Sequence, residues 1–128
     1  MKLLLDTHTF IWWNNEPDKL SPRVFKLLEN SENIVLLSVV TPWEMQIKLQ
    51  TGKLKLEIPL AEMVNNQLQA NNFELLSVTL PHVLELQTLA SHHKDPFDRL
   101  LIAQANVEKA TILSKDAVFT KYNVELLW

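Results

Sequence analysis

The sequence predicts an α/β fold with a central parallel sheet of four to five short strands. Short apolar runs recur along the chain, and none alternates polar with apolar residues, which marks strands covered on both faces. Between them lie segments with helical spacing of apolar residues, opened by Ser-Pro, Thr-Pro or Asp-Pro. Strand and helix signals therefore alternate, the order expected of parallel βαβ units.

The elements follow in order. KLLL (2–5) reads as a buried strand that ends in Asp6. HTFIWWNN (8–15) reads as a first helix. Ser21-Pro22 opens a second helix, with Val24, Leu27 and Leu28 on one face. NIVLLS (33–38) is β-branched and apolar, so it reads as a second strand. Thr41-Pro42 is expected to cap a third helix, stopped near Gly52. LAEMVNNQLQAN reads as a narrow amphipathic helix on Leu60, Val64 and Leu68, FELLSV as a third strand, and Pro81 as the start of another helix. Residues 96–109 read as the longest strongly apolar helix. TILS (111–114) is the fourth strand, and VELLW at the end is an edge strand. The whole chain, 1–128, reads as one domain with no repeat or linker.

Composition narrows the function. The formal net charge is −3, which argues against binding dominated by phosphate neutralisation but leaves room for an enzyme that meets nucleic acid at one site. No cysteine is present, so thiolate ligands, thiol nucleophiles and disulfides are excluded. Gly52 is the sole glycine, and no Gly-rich phosphate loop can be built. MKLLLD is too short an apolar run for a signal peptide or membrane span, so the cytoplasm is the expected compartment.

In open parallel sheets, sites form outside the carboxyl ends of the strands. The residues at or just past those ends are Asp6, Ser38 and Asp116. Two further acids follow helix starts. In HKDPFDRLLIAQA (93–105), Asp95 precedes Pro96 and Asp98 stands three residues on. TPWE (41–44) has the same layout and ends in Glu44. Taken alone, DPFD is most simply a helix cap, and Glu44 and Asp98 could both complete capping boxes. Yet Ser21-Pro22-Arg23-Val24 starts a helix with valine at the acid's position, so capping does not require the acid. Asp6 and Asp116 could equally be turn residues. Four carboxylates at one sheet edge would repel one another, and a hard divalent cation, Mg²⁺ or Mn²⁺, would relieve that repulsion. Such a pocket suits phosphodiester hydrolysis. Arg99 and Lys48 lie nearest the acids in sequence and are the best candidates for substrate contact. Lys53, Lys55, Lys94, Lys115 and Lys121 read mainly as solvated surface.

LLLDTHTFIWW, SVVTPWEMQIKLQTGKL, HKDPFDRLLIAQA and ILSKDAVFTKY occur in the order and spacing of PIN domains, and the chain resembles in particular the ribonuclease toxins of the VapC type. The resemblance covers nearly the whole chain. It implies an α/β/α sandwich and a Mg²⁺- or Mn²⁺-dependent endoribonuclease acting through a metal-bound water. It places the catalytic and metal-binding acids on Asp6, Glu44, Asp98 and Asp116, and the supporting hydroxyls on Thr7, Ser38 and Ser114. Ser114 stands where threonine is common in the family. The resemblance also implies an RNA substrate, a homodimer and a cognate antitoxin protein, with no membrane partner. Asp95 is then the cap and Asp98 the chemical group. Of the adjacent Trp12 and Trp13, one helix face can bury only one, so either the other is exposed for a partner or neighbouring helices cover both. His8 is expected to pack beside the site rather than act as a base, and His92 and His93 to be surface residues at a helix end.

Two other readings compete. A phosphatase with an aspartyl nucleophile after its first strand would want a second Asp two residues on, where this chain has His8. A non-catalytic RNA- or partner-binding module would keep the pocket without turnover.

Overall fold

The computed structural model describes all residues, 1–128. In chain order the elements are β1 (Lys2–Leu5), α1 (Thr7–Asn15), α2 (Pro22–Glu29), β2 (Ile34–Ser38), α3 (Val40–Gln50), α4 (Leu60–Ala70), β3 (Glu74–Leu76), α5 (Leu80–Glu85), α6 (Pro96–Glu108), β4 (Thr111–Leu113) and β5 (Leu126–Leu127). The five strands form one sheet in the order β3-β2-β1-β4-β5. Every pairing is parallel, with Leu3 opposite Val35 on one side and Thr111 on the other. No helix is long and apolar enough to cross a membrane.

The central strands bury side chains to both sides, which is why their sequence does not alternate in polarity. Leu3, Leu5, Val35 and Leu37 meet Phe10, Val24, Leu28, Met45 and Met63 beneath α1 to α4. Leu4, Leu36 and Ile112 meet Leu101, Ile102, Ala105, Phe119 and Tyr122 beneath α6 and the segment after β4. The result is an α/β/α sandwich. Leu4 is wholly buried, and its truncation to alanine would cost roughly 3 kcal/mol.

Most expected elements are present, with corrected ends. The third strand is shorter than FELLSV, because β3 is an edge strand with one hydrogen-bonded neighbour. The third helix is not capped by Thr41. Its N-cap is Val39, already in helical conformation, and the Val40 N–H is taken by Ser38 Oγ at 3.1 Å. The helix thus springs directly from β2, Thr41 is buried in its first turn, and TPWE is not a copy of DPFD. Trp12 and Trp13 are both half-buried. Trp12 lies against His8 and Trp128, while Trp13 lies against Phe25 and Phe73 and donates through Nε1 to Gln67 at 2.9 Å. Neighbouring elements cover both indoles. Trp43 on α3 is the strongly exposed tryptophan instead, at 55%.

Two helix ends show opposite solutions to one problem. Gly52 follows α3 at φ +74°. Its N–H bonds Leu49 O, and the Lys53 N–H bonds Lys48 O, closing the last turn in a Schellman arrangement. Lys109 ends α6 at φ +56°, a left-handed conformation that a β-carbon disfavours. Gly52→Ala should therefore lower stability by about 1 kcal/mol, and Lys109→Gly should raise it by a similar amount, both read by denaturant unfolding. Equal stability of both variants and wild type would contradict this account.

Candidate active site

The order β3-β2-β1-β4-β5 places the topological switch between β1 and β4, because the chain builds outward from β1 in one direction and returns to β4 on the other side. The acids gather at this point. Asp6 leaves β1 with its backbone N–H on Leu113 O of β4 at 3.3 Å. Its carboxylate caps α1, with Oδ1 accepting from the Thr9 N–H at 2.8 Å, and Oδ2 accepts from the Ser114 hydroxyl at 2.5 Å. Ser114 Oγ in turn accepts from the Asp116 N–H at 3.0 Å, and Asp116 Oδ1 accepts from the Val118 N–H at 3.0 Å. One hydroxyl thus links two of the expected acids.

Glu44 reaches the same edge from α3. Its Oε1 accepts from the Thr7 hydroxyl at 2.7 Å, and its other oxygen lies 2.9 Å from Lys48 Nζ, one turn on. Asp98 arrives from the first turn of α6. Asp95 supplies the cap there, with Oδ1 accepting from the N–H groups of Phe97 at 2.9 Å and Asp98 at 3.1 Å. The Asp98 side chain makes no capping bond, so the two acids of DPFD are divided between different tasks.

The electrostatics report the convergence. Burial raises the Asp6 carboxyl above the usual aspartate range, against the lowering effect of the bonds from Ser114 and Thr9. Asp98 is pushed up to about 7, first by burial and then by the negative charges of Asp95, Glu44, Asp6 and Asp116. Glu44, Asp6 and Asp116 therefore all act on Asp98 across this edge. The donors are hard oxygens only, which fits Mg²⁺ or Mn²⁺ in kind. No three of the chain's His, Asp and Glu side chains stand already converged to hold a metal ion.

The expected supporting hydroxyls differ in what they touch. Thr7 and Ser114 donate to carboxylates. Ser38 does not: it donates to Gln104 Oε1 and fixes the start of α3. Gln104 is fully buried and joins Ser38 to His82, which pairs with Glu108 at 2.8 Å. Lys48 is paired with Glu44. Arg99 Nη1 is committed to Ala90 O at 2.8 Å and the Tyr122 hydroxyl at 3.2 Å. His8 is exposed against Trp12.

His93 departs from expectation. It is not a surface residue at a helix end but stands half-buried, with Nε2 3.4 Å from Asp98 Oδ2. Its signal in the sequence was proximity alone: it lies just ahead of Asp95 and Asp98. Tyr122, on the far side of its ring, carried no signal. A cleft of about 400 Å³ opens beside them, lined by Ser91, His93, Lys94 and Arg99. A cavity of about 500 Å³ lies among Asn30, Asn33, Asn71 and Glu74 and contains none of the carboxylates of the sheet edge. Its lining offers no convergent catalytic set, so the carboxylate edge is the better candidate site.

A parallel sheet of this order with acids at its switch point defines the class, and the chain belongs to the PIN domain family, whose model matches residues 3–125. Ribonuclease VapC22 of Mycobacterium tuberculosis (strain ATCC 25618 / H37Rv) is 25% identical over 115 residues, covering 89% of this chain and 86% of that protein. Among solved structures, VapBC2 from Rickettsia felis, bound to a DNA fragment from its promoter, superposes with a TM-score of 0.74 at 16% identity, covering 99% of this chain and 98% of that one. FitAcB from Neisseria gonorrhoeae gives a TM-score of 0.66 at 22% identity, covering 98% and 96%. Membership of this family sets aside the phosphatase reading.

The raised Asp98 carboxyl has a consequence for stability. In the folded chain it holds a proton up to about pH 7, whereas the unfolded chain releases it near the ordinary aspartate value of about 4. Between those values the folded state binds more protons, so this group makes stability fall as pH rises. In EDTA, wild-type melting temperature should therefore fall relative to Asp98→Asn from about pH 5 to about pH 8. Parallel curves for the two proteins would refute the raised value.

Proposed function

We propose that the protein, as one PIN domain over residues 1–128, is a metal-dependent endoribonuclease and the toxin of a toxin–antitoxin module. The observation that supports this reading is that Asp6, Glu44 and Asp116 stand near enough to Asp98 at one sheet edge for their charges to raise its carboxyl. Those four acids would hold Mg²⁺ or Mn²⁺. When bound, such a cation polarises a phosphoryl oxygen and makes water a stronger nucleophile near neutral pH.

The chain's own residues supply the rest. Ser114 and Thr7 hold the Asp6 and Glu44 carboxylates in fixed orientations. Lys48, held beside Glu44, is placed to exchange that partner for a backbone phosphate of RNA. Arg99 and Lys94 line the cleft next to α6 and supply local positive charge that the net charge of −3 does not. A catalytic site of this kind binds an anion through a few placed cations and a metal rather than through a basic surface.

The partner assignment rests on the relatives. The solved neighbours VapBC2 and FitAcB share the fold, and the related VapC22 is a ribonuclease by its name. We infer a cognate antitoxin, a homodimer and a cytoplasmic setting for this chain as well. Exposed Trp43 and Ile47 on α3, and Leu80, Val83 and Leu84 on α5, give apolar area for such partners to cover.

The test is incubation of the protein, free of antitoxin, with a mixed cellular RNA pool in Mg²⁺, Mn²⁺ or EDTA. Discrete fragments are expected only with metal. Asp6→Asn and Asp98→Asn should abolish them while remaining folded, and Thr7→Val should slow cleavage by roughly 10-fold. Divalent metal should also raise the melting temperature of wild type but not of Asp98→Asn. Full activity of either aspartate variant would overturn the site, and RNA binding without cleavage of any RNA would favour an idle binding module.

A further inference from the structure

Each acid at the sheet edge but one has a protein donor holding its carboxylate. Asp6 has the Ser114 hydroxyl, Glu44 has the Thr7 hydroxyl, and Asp116 has the Val118 N–H. Asp98 has no hydrogen bond to its side chain. What faces it instead is His93, whose Nε2 lies 3.4 Å from Asp98 Oδ2. That nitrogen is also the one buried side-chain nitrogen or oxygen in the chain without a hydrogen-bond partner. A buried donor is not left unpaired without a reason.

The hydrogen bonds behind His93 bear on what Nε2 offers. Arg99 Nη1 lies 3.2 Å from the Tyr122 oxygen, and a guanidinium can only donate, so that oxygen accepts. The hydroxyl then has one proton to give, and His93 Nδ1 lies 2.6 Å away. The tautomer in which Nδ1 accepts that proton satisfies the Tyr122 hydroxyl, and in the neutral imidazole it carries the ring proton on Nε2. It points that proton at Asp98. Arg99 is itself anchored by the Ala90 carbonyl at 2.8 Å, and Tyr122 is buried at 7% exposure. The source of the arrangement is therefore fixed.

We propose that Arg99, Tyr122 and His93 form a relay that sets the His93 tautomer and orients Asp98 through Nε2–H, leaving the second Asp98 oxygen to a cation. His93 is then a positioning residue and not a metal ligand. The inference rests on the metal-pocket reading of this edge. The gap of 3.4 Å is the kind of long contact that tightens when a site is filled. Packing alone does not explain the set. His92 and His93 meet the Tyr122 ring edge-on at 5.0 and 5.3 Å, contacts that phenylalanine would keep, whereas the hydroxyl serves only the hydrogen bonds.

Two measurements test it on the full chain. Long-range ¹H–¹⁵N spectra without metal, near pH 8 where imidazole is ordinarily neutral, read the His93 tautomer. Nε2–H is expected in wild type, and a mixture in Tyr122→Phe. Calorimetric Mn²⁺ affinity should weaken by about 10-fold in His93→Ala and in Tyr122→Phe. His93→Gln, whose amide nitrogen can reach the place of Nε2, should recover most of the loss. Melting in EDTA checks that each variant is folded. An Nδ1–H tautomer in wild type, or unchanged Mn²⁺ affinity in a folded His93→Ala, would overturn the relay. If wild type takes up no Mn²⁺, the metal pocket falls, and the tautomer in wild type and Tyr122→Phe still decides whether the relay exists.

Discussion

Asp6 ends the central strand with its carboxylate 5% exposed as a residue, where an ionised oxygen must be matched by donors or by positive charge. Much of the local structure answers that demand. The first turn of α1 gives it the Thr9 N–H, and the end of β4 gives it the Ser114 hydroxyl. Thr9 Oγ1 in turn donates to Leu113 O at 2.8 Å, tying α1 to β4. The junction of β1 and β4 is thus stitched by the same groups that hold the acid. Burial nevertheless raises its proton affinity, so the donors offset the desolvation only in part.

Three other acids stand along the same edge, and the neighbouring charges bear on Asp98. Glu44 finds partial relief in Lys48, and Asp116 in a backbone N–H. Asp98 has neither, and it carries the burden as a carboxyl shifted to about 7. Like charges brought near a partly buried carboxyl are the arrangement that the proposed metal pocket would need. The relay behind His93 fits this picture: it offers Asp98 a neutral donor, which orients the carboxylate without cancelling the negative potential that a cation would need.

Much of this was legible in the sequence because it depends on local rules. Apolar runs without alternation gave the buried strands, and acids after strand ends pointed to the site edge. Pro96 beside Asp95 marked a cap, and the structure divides Asp95 from Asp98 as the control at Ser21-Pro22 suggested. The misreadings have equally definite causes. Thr41-Pro42 looks like a cap, but Ser38 performs that service three residues earlier, because a β-strand that runs straight into a helix has no loop to advertise. Ser38 was expected beside the acids as a supporting hydroxyl, yet it bonds Gln104, a residue 66 positions away that only packing brings near. His93 and Tyr122 stand 29 residues apart on segments without regular structure, and no periodicity encodes their meeting.

The central claim is that the carboxylates at this edge are held in mutual repulsion that a divalent cation relieves. The most direct measurement is the number of protons released when Mn²⁺ binds, from calorimetry in buffers of different ionisation enthalpy. Asp98, half protonated near pH 7 in the free protein, must give up its proton to bind a cation. The account predicts release of about half a proton near pH 7, rising toward one near pH 6 and vanishing in Asp98→Asn. Mn²⁺ binding with no proton release at either pH, or no binding at all, would contradict it.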